Sequence, residues 1–129
     1  MANIKKYRVE HTPTFASIEV SIDYDYSYKF GDRIVTMEES IKEQAMFWHG
    51  SNRRLKDNSG SYLKTFLKHL CETIMIASAA NNLNEFGIID VFNAKEGWCG
   101  LDGSRGIKLL SLEPMEIDNQ EDYEIDELK

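Results

Sequence analysis

The residues that could perform acid–base, metal or thiol chemistry are few in this chain and widely spaced. The histidines stand at positions 11, 49 and 69, and the cysteines at positions 71 and 99. His69 and Cys71 lie two residues apart, so on a helix they project about 160° from each other and cannot share a ligand. Zinc binding and nucleophilic catalysis both require Cys, His or carboxylate groups that converge. We therefore predict no catalytic residue, no metal site and no cofactor.

A glycine-rich loop at residues 97–106 is the next candidate. Gly100, Gly103 and Gly106 resemble a phosphate-binding string, but such a loop leads from a strand to the N-terminus of a helix. Here the predicted order is helix, loop, strand. The spacing therefore favours a tight turn in which Gly103 or Gly106 takes a positive φ angle. An enzyme site built in this loop is kept as an alternative, and its residues are Trp98, Asp102, Ser104 and Arg105.

Two further groups of side chains are candidates for binding. Alternating tyrosines at positions 24, 26 and 28 extend beyond the reach of the preceding strand. Core burial is the commoner fate of such a stripe, but exposed tyrosines are enriched at interfaces. Basic residues at positions 53 and 54 close a helix, where they complement its dipole or bind an anion. The candidate binding residues are therefore Tyr24, Tyr26, Tyr28, Arg53, Arg54, Trp98, Asp102 and Arg105.

The elements that position these residues begin with two strands. Apolar and polar residues alternate over residues 15–28, which predicts one strand with one buried face. Tyr7 and Val9 alternate in the same way before a short connection that contains a proline. The pattern predicts an antiparallel hairpin in which Tyr7 and Val9 share a face with Ile18 and Val20.

Helices follow the hairpin. Thr36 and Glu39 form a predicted capping box, and an apolar stripe from Met37 to Leu55 predicts one helix. A second stripe over residues 63–80 predicts a central helix, whose later part is covered on more than one side. Trp48 and Leu70 are expected to share the core between these helices and the sheet.

A short helix over residues 86–92 and a strand over residues 107–112 complete the predicted order, β-β-α-α-(α)-β. Segregated strands and helices of this kind predict an α+β fold, a small antiparallel sheet with helices packed on one face.

The charge of the chain is concentrated at its end. The 129 residues carry a net charge of −7, and eight acidic residues and one lysine lie at residues 113–129. Residues 1–112 therefore carry equal numbers of acidic and basic side chains, which makes nucleic-acid binding an unfavoured class of function. We expect one α+β domain over residues 1–112 and an acidic C-terminal tail over 113–129. This tail is expected to dock on basic residues of the body or of a partner.

The cellular location is predicted from two features that are not found in the sequence. No stretch reaches the roughly 18 apolar residues of a membrane helix, and the charged opening residues precede no apolar leader. Two cysteines without framework spacing favour a reducing compartment. We expect a cytoplasmic protein with no membrane partner.

A loop motif adds a resemblance. Glu96-Gly97-Trp98, Leu101-Asp102-Gly103-Ser104 and Gly106-Ile107, with Phe92 on the helix upstream, resemble a small uncharacterised family found in bacterial phage and plasmid regions. The resemblance covers the second half of the chain without the acidic tail, and it implies a mobile-element context. It supplies no catalytic residue. The predicted function is a small acidic accessory protein that binds a protein partner, with the loop enzyme and a structural homodimer as alternatives.

Overall fold

The computed structural model describes residues 3–11, 13–94, 98 and 100–113. Cys99 and residues 114–129, on which the prediction of an acidic tail falls, lie outside the described residues. The elements follow in the order β1 (Ile4–His11), β2 (Ala16–Asp23), β3 (Ser27–Phe30), β4 (Arg33–Thr36), α1 (Met37–Phe47), α2 (Ser51–Asp57), α3 (Tyr62–Asn81), α4 (Glu85–Asn93) and β5 (Ile107–Glu113).

The main sheet is antiparallel, with the strand order β1-β2-β5. Tyr7 lies opposite Val20 and Val9 lies opposite Ile18, which confirms the predicted hairpin and its register. The apolar face of β2 is buried in the same core as the helices, whereas Glu19 on the other face is exposed. The chain therefore has the predicted α+β fold, a small antiparallel sheet with helices packed on one face.

The predicted strand over residues 15–28 is wrong in its extent, because β2 ends at Asp23. The Asp23 carboxylate accepts a hydrogen bond from the Asp25 N–H at 3.0 Å, and the Asp23 carbonyl accepts one from the Tyr26 N–H at 3.2 Å. This local turn, which aspartate favours, outweighs the alternating pattern. The chain then forms a separate two-stranded ribbon of β3 and β4, and the sequence pattern did not reveal β4.

Three of the helix predictions are confirmed. The Thr36 hydroxyl accepts a hydrogen bond from the Glu39 N–H at 3.2 Å, so Thr36 caps α1 as predicted, while the Glu39 carboxylate reaches back to the Thr36 hydroxyl at 3.4 Å. The central helix is α3, and the short helix predicted over residues 86–92 is α4. The Asn84 side chain caps α4 by accepting from the Gly87 N–H at 3.0 Å.

The prediction of a single helix from Met37 to Leu55 is wrong, because the chain bends between α1 and α2. Trp48 is extended and Gly50 takes a φ of 81°, a left-handed conformation that glycine adopts without steric cost. The Arg54 guanidinium donates hydrogen bonds to the carbonyls of His49 at 2.8 Å and Trp48 at 3.4 Å. These bonds join the end of α1 to α2 at the bend.

The core lies between the sheet and the helices. Phe66, Leu70 and Ile74 of α3 are buried, and Trp48 is half-buried against this core. The prediction that Leu70 and Trp48 share the core is therefore confirmed for Leu70 and confirmed in part for Trp48. The later part of α3 is less covered than predicted, because Ile76 is 60% exposed. Within the described residues, no helix combines the length and apolar character needed to cross a membrane.

The glycine-rich loop folds back onto β5. Gly103 and Gly106 take φ angles of 91° and 86°, which confirms the predicted positive values. The Gly103 N–H donates to the Ile107 carbonyl at 3.0 Å, and the Leu109 N–H donates to the Leu101 carbonyl at 2.9 Å. These bonds hold the loop beside the start of the last strand.

Candidate functional site

A groove of about 620 Å³ lies between the β3–β4 ribbon, α1 and the loop before β5. We call it the aromatic groove. Four of the eight predicted binding residues line it. The lining residues are Tyr26, Tyr28, Phe30, Ser40, Glu43, Gln44, Phe47, Trp98 and Arg105.

The two long walls of the groove follow from local structure. Tyr28 and Phe30 are two residues apart on β3, so they stand on the same side of the ribbon. Tyr26 precedes the strand, and its ring centroid lies 6.4 Å from that of Tyr28. The opposite wall is one face of α1, because its residues recur at spacings of three and four. They are Ser40, Glu43, Gln44 and Phe47.

The aromatic side chains of the groove are unusually open to solvent. Phe30 is 72% exposed, Phe47 is 55% exposed and Tyr28 is 37% exposed. Single exposed apolar residues are common on protein surfaces, whereas contiguous groups of them mark interaction sites. The three rings lie along one groove, so the groove is an aromatic surface without a covering element among the described residues.

The charges at the groove are few. The Arg33 guanidinium and the Glu43 carboxylate lie 2.9 Å apart, but both are more than half exposed, so their ion pair contributes little to stability. Arg105 forms no ion pair with a carboxylate of the described residues. The pKa of Tyr28 is raised, first by burial and then by Glu43, so its phenol keeps its proton at neutral pH. Among the described residues, Arg105 is therefore the one basic side chain lining the groove, and it lies beside neutral rings without a carboxylate partner.

Trp98 joins the groove to the core. It was predicted as a loop binding residue, but it is only 5% exposed. Its ring packs at centroid distances of 5.3–5.9 Å against four other rings, those of Trp48, Phe66, His69 and Phe92. One side of Trp98 lines the groove, and the rest of the ring anchors the loop.

Tyr24 lies away from the aromatic groove. Its hydroxyl lies 2.7 Å from the hydroxyl of Tyr7, and the Lys5 ammonium lies 5.6 Å from its ring centroid. Burial and the Tyr7 hydrogen bond raise the pKa of Tyr24 well above its usual value. Its partners are on β1. Arg53 and Arg54 of α2, which were also predicted to bind, do not line the groove either.

Asp102 also lies outside the groove, on the surface of the glycine-rich loop. Its carboxylate accepts hydrogen bonds from the Ser104 hydroxyl at 2.6 Å and from the Ser104 N–H at 2.9 Å. These bonds lower the pKa of Asp102, which makes the carboxylate a weaker base. The visible role of Asp102 is to hold the turn that leads to Arg105.

Sequence reasoning missed Phe47 and left Phe30 out of the predicted site. Phe47 lies off the buried stripe of α1, and a large aromatic side chain on an otherwise polar helix face is a signal that could have been followed. Phe30 continues the alternation of the three tyrosines, but it lies beyond the predicted strand, on a ribbon that the sequence pattern did not reveal.

No group of three His, Cys, Asp or Glu side chains that could hold a metal ion occurs among the described residues. The thiol of Cys71 is buried and donates weakly to the Val9 carbonyl at 3.8 Å. Burial raises the pKa of Cys71 to about 11 from a usual value of 9.0.

This burial predicts an unreactive thiol. In a Cys99→Ser variant, which leaves Cys71 alone, reaction with a disulfide reagent at pH 8 should be about tenfold or more slower in the native protein than in the unfolded chain. Raising the pKa from 9.0 to about 11 lowers the thiolate population about 100-fold, and the higher nucleophilicity of the more basic thiolate offsets about tenfold of that loss. Absorbance of the released thiol follows the reaction, and equal native and unfolded rates would contradict the buried position.

Comparisons with known proteins bear on the context of this site. Residues 17–125 match the sequence model of a family that is described as "Protein of unknown function (DUF2528)". The chain is also 32% identical over 130 residues to the "Lambda prophage-derived protein ea10" of Escherichia coli O6:H1 (strain CFT073). It is equally similar to "Protein ea10" of Escherichia phage lambda, and each match covers 97% of this chain and 98% of the relative. No solved structure matches the chain significantly.

Proposed function

The chain belongs to the DUF2528 family of phage-associated proteins of unknown function, and we propose that it acts there as an accessory protein that binds a protein partner. The observation that carries this proposal is the aromatic groove, in which Phe30 and Phe47 are more than half exposed. The membership also supports the mobile-element context that the loop motif implied.

The composition of the groove favours a protein partner. Tyr, Trp, Phe and Arg are enriched in protein interfaces, and a few buried aromatic or arginine side chains supply most of the binding energy. In this proposal, an apolar side chain of the partner packs between Phe30 and Phe47. Arg105, which no carboxylate of the described residues pairs, selects a carboxylate of the partner next to that side chain.

A co-purification experiment tests the proposal. The tagged chain is expressed in its native host, and partners are quantified by mass spectrometry for the parent, Phe30→Ala, Phe47→Ala and Phe86→Ala. Phe86 is a matched control, since it is 70% exposed and lies on α4 outside the groove. Each groove variant should weaken binding of the partner about tenfold or more, because truncating a hot-spot aromatic residue costs about 2 kcal/mol or more and about 1.4 kcal/mol corresponds to tenfold. Recovery that is equal for all four proteins would refute the proposal.

Self-association through the same groove is the rival outcome. Sedimentation of the purified chain distinguishes self-association from binding of a different protein, because the proposed accessory protein is expected to sediment as a monomer when its partner is absent. If the chain is instead a dimer that Phe47→Ala dissociates, the groove is a homodimer interface and the proposed role in partner binding is wrong.

A further inference from the structure

The main sheet has one covered edge and one free edge. At β5 the glycine-rich loop covers the edge, since Asp102 pairs with Lys108 and the Leu109 N–H donates to the Leu101 carbonyl. At the opposite side β1 pairs with β2, and no other described strand lies next to it. We call this side of β1 the free edge. A strand of eight residues with an unpaired edge is a template for another extended segment, so native proteins usually cover or protect it.

The backbone groups at the free edge belong to every second residue of β1. The Asp23 N–H donates to the Gly106 carbonyl at 2.8 Å, on the side of β5, so Ile4, which lies opposite Asp23, directs its own N–H and C=O away from β2. By the same alternation, Tyr7 and Val9 direct theirs toward β2. The donors and acceptors at the free edge are therefore those of Ile4, Lys6, Arg8 and Glu10.

A groove of about 450 Å³ lies beside the free edge, between β1 and α3. We call it the β1 groove. Its apolar lining residues are Val9, Cys71, Met75 and Ile76. Ile76 is 60% exposed, and Val9 is only partly buried although it packs against the core. The groove is also lined by Lys68, Glu10 and Glu72, so charges of both signs lie around its apolar part. A segment paired with β1 would place every second side chain over this groove.

The other face of β1 is basic. Lys6 and Arg8 alternate with Tyr7 and Val9, so they stand on the face of the sheet away from the core, and both are exposed. Lys6 forms no ion pair within the described residues. Arg8 lies 3.2 Å from Glu10, but its side chain is 54% exposed, so this pair is weak. The free edge therefore suits a strand with one apolar face and one acidic face.

The sequence that follows β5 has this pattern. Residues 114–129 of the acidic tail, which lie outside the described residues, contain seven acidic residues and one lysine. Tyr123 and Ile125 alternate with Glu124 and Asp126, which is the period of a strand with one apolar and one acidic face. The chain therefore carries a segment whose pattern complements its own free edge.

The end of β5 is within reach of the free edge. Glu113 pairs with Ser17 of β2, and Ser17 pairs with Glu10 of β1, so the chain leaves the sheet at the end where β1 also ends. A new strand beyond β1 stands three strand spacings from β5, which is about 14 Å, or about five extended residues. Nine residues lie between Glu113 and Tyr123, which is enough. A segment that arrives from this end runs antiparallel to β1.

We infer that residues 123–127 of the acidic tail add an antiparallel strand to the free edge of β1 in their own chain. Tyr123 then lies opposite Val9, and Ile125 lies opposite Tyr7. Both of these tail residues stand on the core side of the sheet and cover the β1 groove. The site is separate from the aromatic groove, so the inference goes beyond the proposed partner contact and does not depend on it.

The same register brings opposite charges together on the other face. Glu124 lies opposite Arg8, and Asp126 lies opposite Lys6. Directly opposite residues of an antiparallel pair have neighbouring Cβ atoms, so opposite charges there stabilise the pairing. Each exposed pair contributes little, and the apolar contact with the groove and the backbone hydrogen bonds supply the rest.

Neighbouring registers fit less well. A shift by one residue would turn the tyrosine and the isoleucine toward the basic face. A shift by two residues keeps the faces, but it brings Glu121 or Glu127 over the partly buried tyrosine and valine of β1. The pairing begins at Tyr123, because the preceding pair, Asp122 and Glu10, carries like charges. The proposed register therefore matches both faces at once.

Amide hydrogen exchange of the full chain, followed residue by residue by NMR, tests the added strand. The N–H groups of Lys6 and Arg8 gain acceptors from it, so they should exchange about tenfold or more slower than in an Ile125→Asp variant, which places a charge over the groove. The N–H groups of Tyr7 and Val9 bond to β2 and should stay protected in both proteins, which shows that the fold is intact. Equal exchange of Lys6 and Arg8 in the two proteins would overturn the inference.

Ile117→Asp is the matched control. It makes the same chemical change in the tail, but Ile117 lies in the connection before the added strand. The amides of Lys6 and Arg8 should therefore keep their protection in this variant. If Ile117→Asp and Ile125→Asp remove the protection alike, the tail does not bind through the proposed residues, and the inference is wrong.

A charge exchange tests the register. Arg8→Glu should speed exchange of the Lys6 amide, because it places like charges opposite each other, and Glu124→Arg added to it should restore the slow rate. Asp118→Arg makes the same change of net charge outside the added strand, so it should not restore the rate. Equal restoration by Glu124→Arg and Asp118→Arg would overturn the proposed register.

A cross-strand contact identifies the bound segment directly. Tyr7 and Ile125 form a pair without hydrogen bonds between them, in which the two Cα atoms approach to about 4.5 Å, so a nuclear Overhauser effect should join their Hα protons. Its absence would overturn the inference. In an equal mixture of isotope-labelled and unlabelled chains, the spectrum that selects contacts between chains should lack this signal. Its presence there would assign the free edge to the tail of a second copy and overturn binding within one chain.

Discussion

Gly106→Ala should lower the free energy of unfolding by about 2–5 kcal/mol. Gly106 has a φ of 86°, and a non-glycine residue in a left-handed conformation costs about 1–2 kcal/mol. A Cβ atom at this position would also stand 2.5 Å from Met37 Cε and 2.8 Å from Tyr26 Cβ. Such overpacking costs about 1–3 kcal/mol more, because Tyr26 Cβ is close to the backbone and cannot swing away.

Denaturant unfolding followed by circular dichroism measures this loss, and Gly103→Ala is its control. Gly103 has a similar φ of 91°, but a Cβ atom there would meet nothing closer than 3.6 Å. The control should therefore show the backbone cost alone. If the two substitutions destabilise the protein equally, the close packing of Gly106 against Tyr26 is wrong, and with it the position of one groove wall.

Leu70→Ala should cost about 2–5 kcal/mol, because it removes three buried carbon atoms and leaves a cavity in the core. Leu70 has no exposed surface and lies on the face of α3 that packs against the sheet and the other helices. The midpoint of unfolding of the Leu70→Ala variant, by urea or by heat, should fall well below that of the parent protein.

Ile76→Ala on the same helix is the matched control. Ile76 is 60% exposed, so its truncation should change the free energy of unfolding by no more than about 0.5 kcal/mol. An equal loss for both variants, or a Leu70→Ala protein as stable as the parent, would show that the buried face of α3 is assigned wrongly.

Local signals in the sequence predicted the parts of the fold that local chemistry determines. Strict alternation in β1 and β2 specified the register, since a slip of one residue would expose Ile18 and Val20. The Thr36–Glu39 pair marked the start of α1, and glycine at 103 and 106 marked the positive φ angles. In each case the residues that carry the signal also form the contact.

The predictions were wrong where the backbone changes direction although the apolar pattern continues. The alternation of residues 15–28 continues through the turn at Asp23, where a side-chain hydrogen bond to Asp25 wins over the strand pattern. The stripe from Met37 to Leu55 continues through Gly50, whose left-handed conformation turns the chain. A periodic pattern reports which side chains are apolar, but it does not report where the backbone changes direction.

The candidate site was predicted only in part, because its residues are brought together by the packing of separate elements. Tyr26, Tyr28, Trp98 and Arg105 meet in the aromatic groove, although sequence reasoning had selected them as two separate groups. Phe47 reaches the groove only because the β3–β4 ribbon lies against α1. That contact depends on tertiary packing between elements, for which a single sequence carries no periodic signal.

Site-specific photo-crosslinking is the most direct measurement of the proposed partner contact. A benzophenone amino acid is placed at position 47 in the groove or, as a control, at position 86 on α4, and the native host is irradiated. The proposal predicts a crosslinked partner at position 47 and none at position 86, with the position-47 adduct lost when Phe30→Ala is added. A co-purifying partner that crosslinks at position 86 and not at position 47 would contradict binding through the aromatic groove.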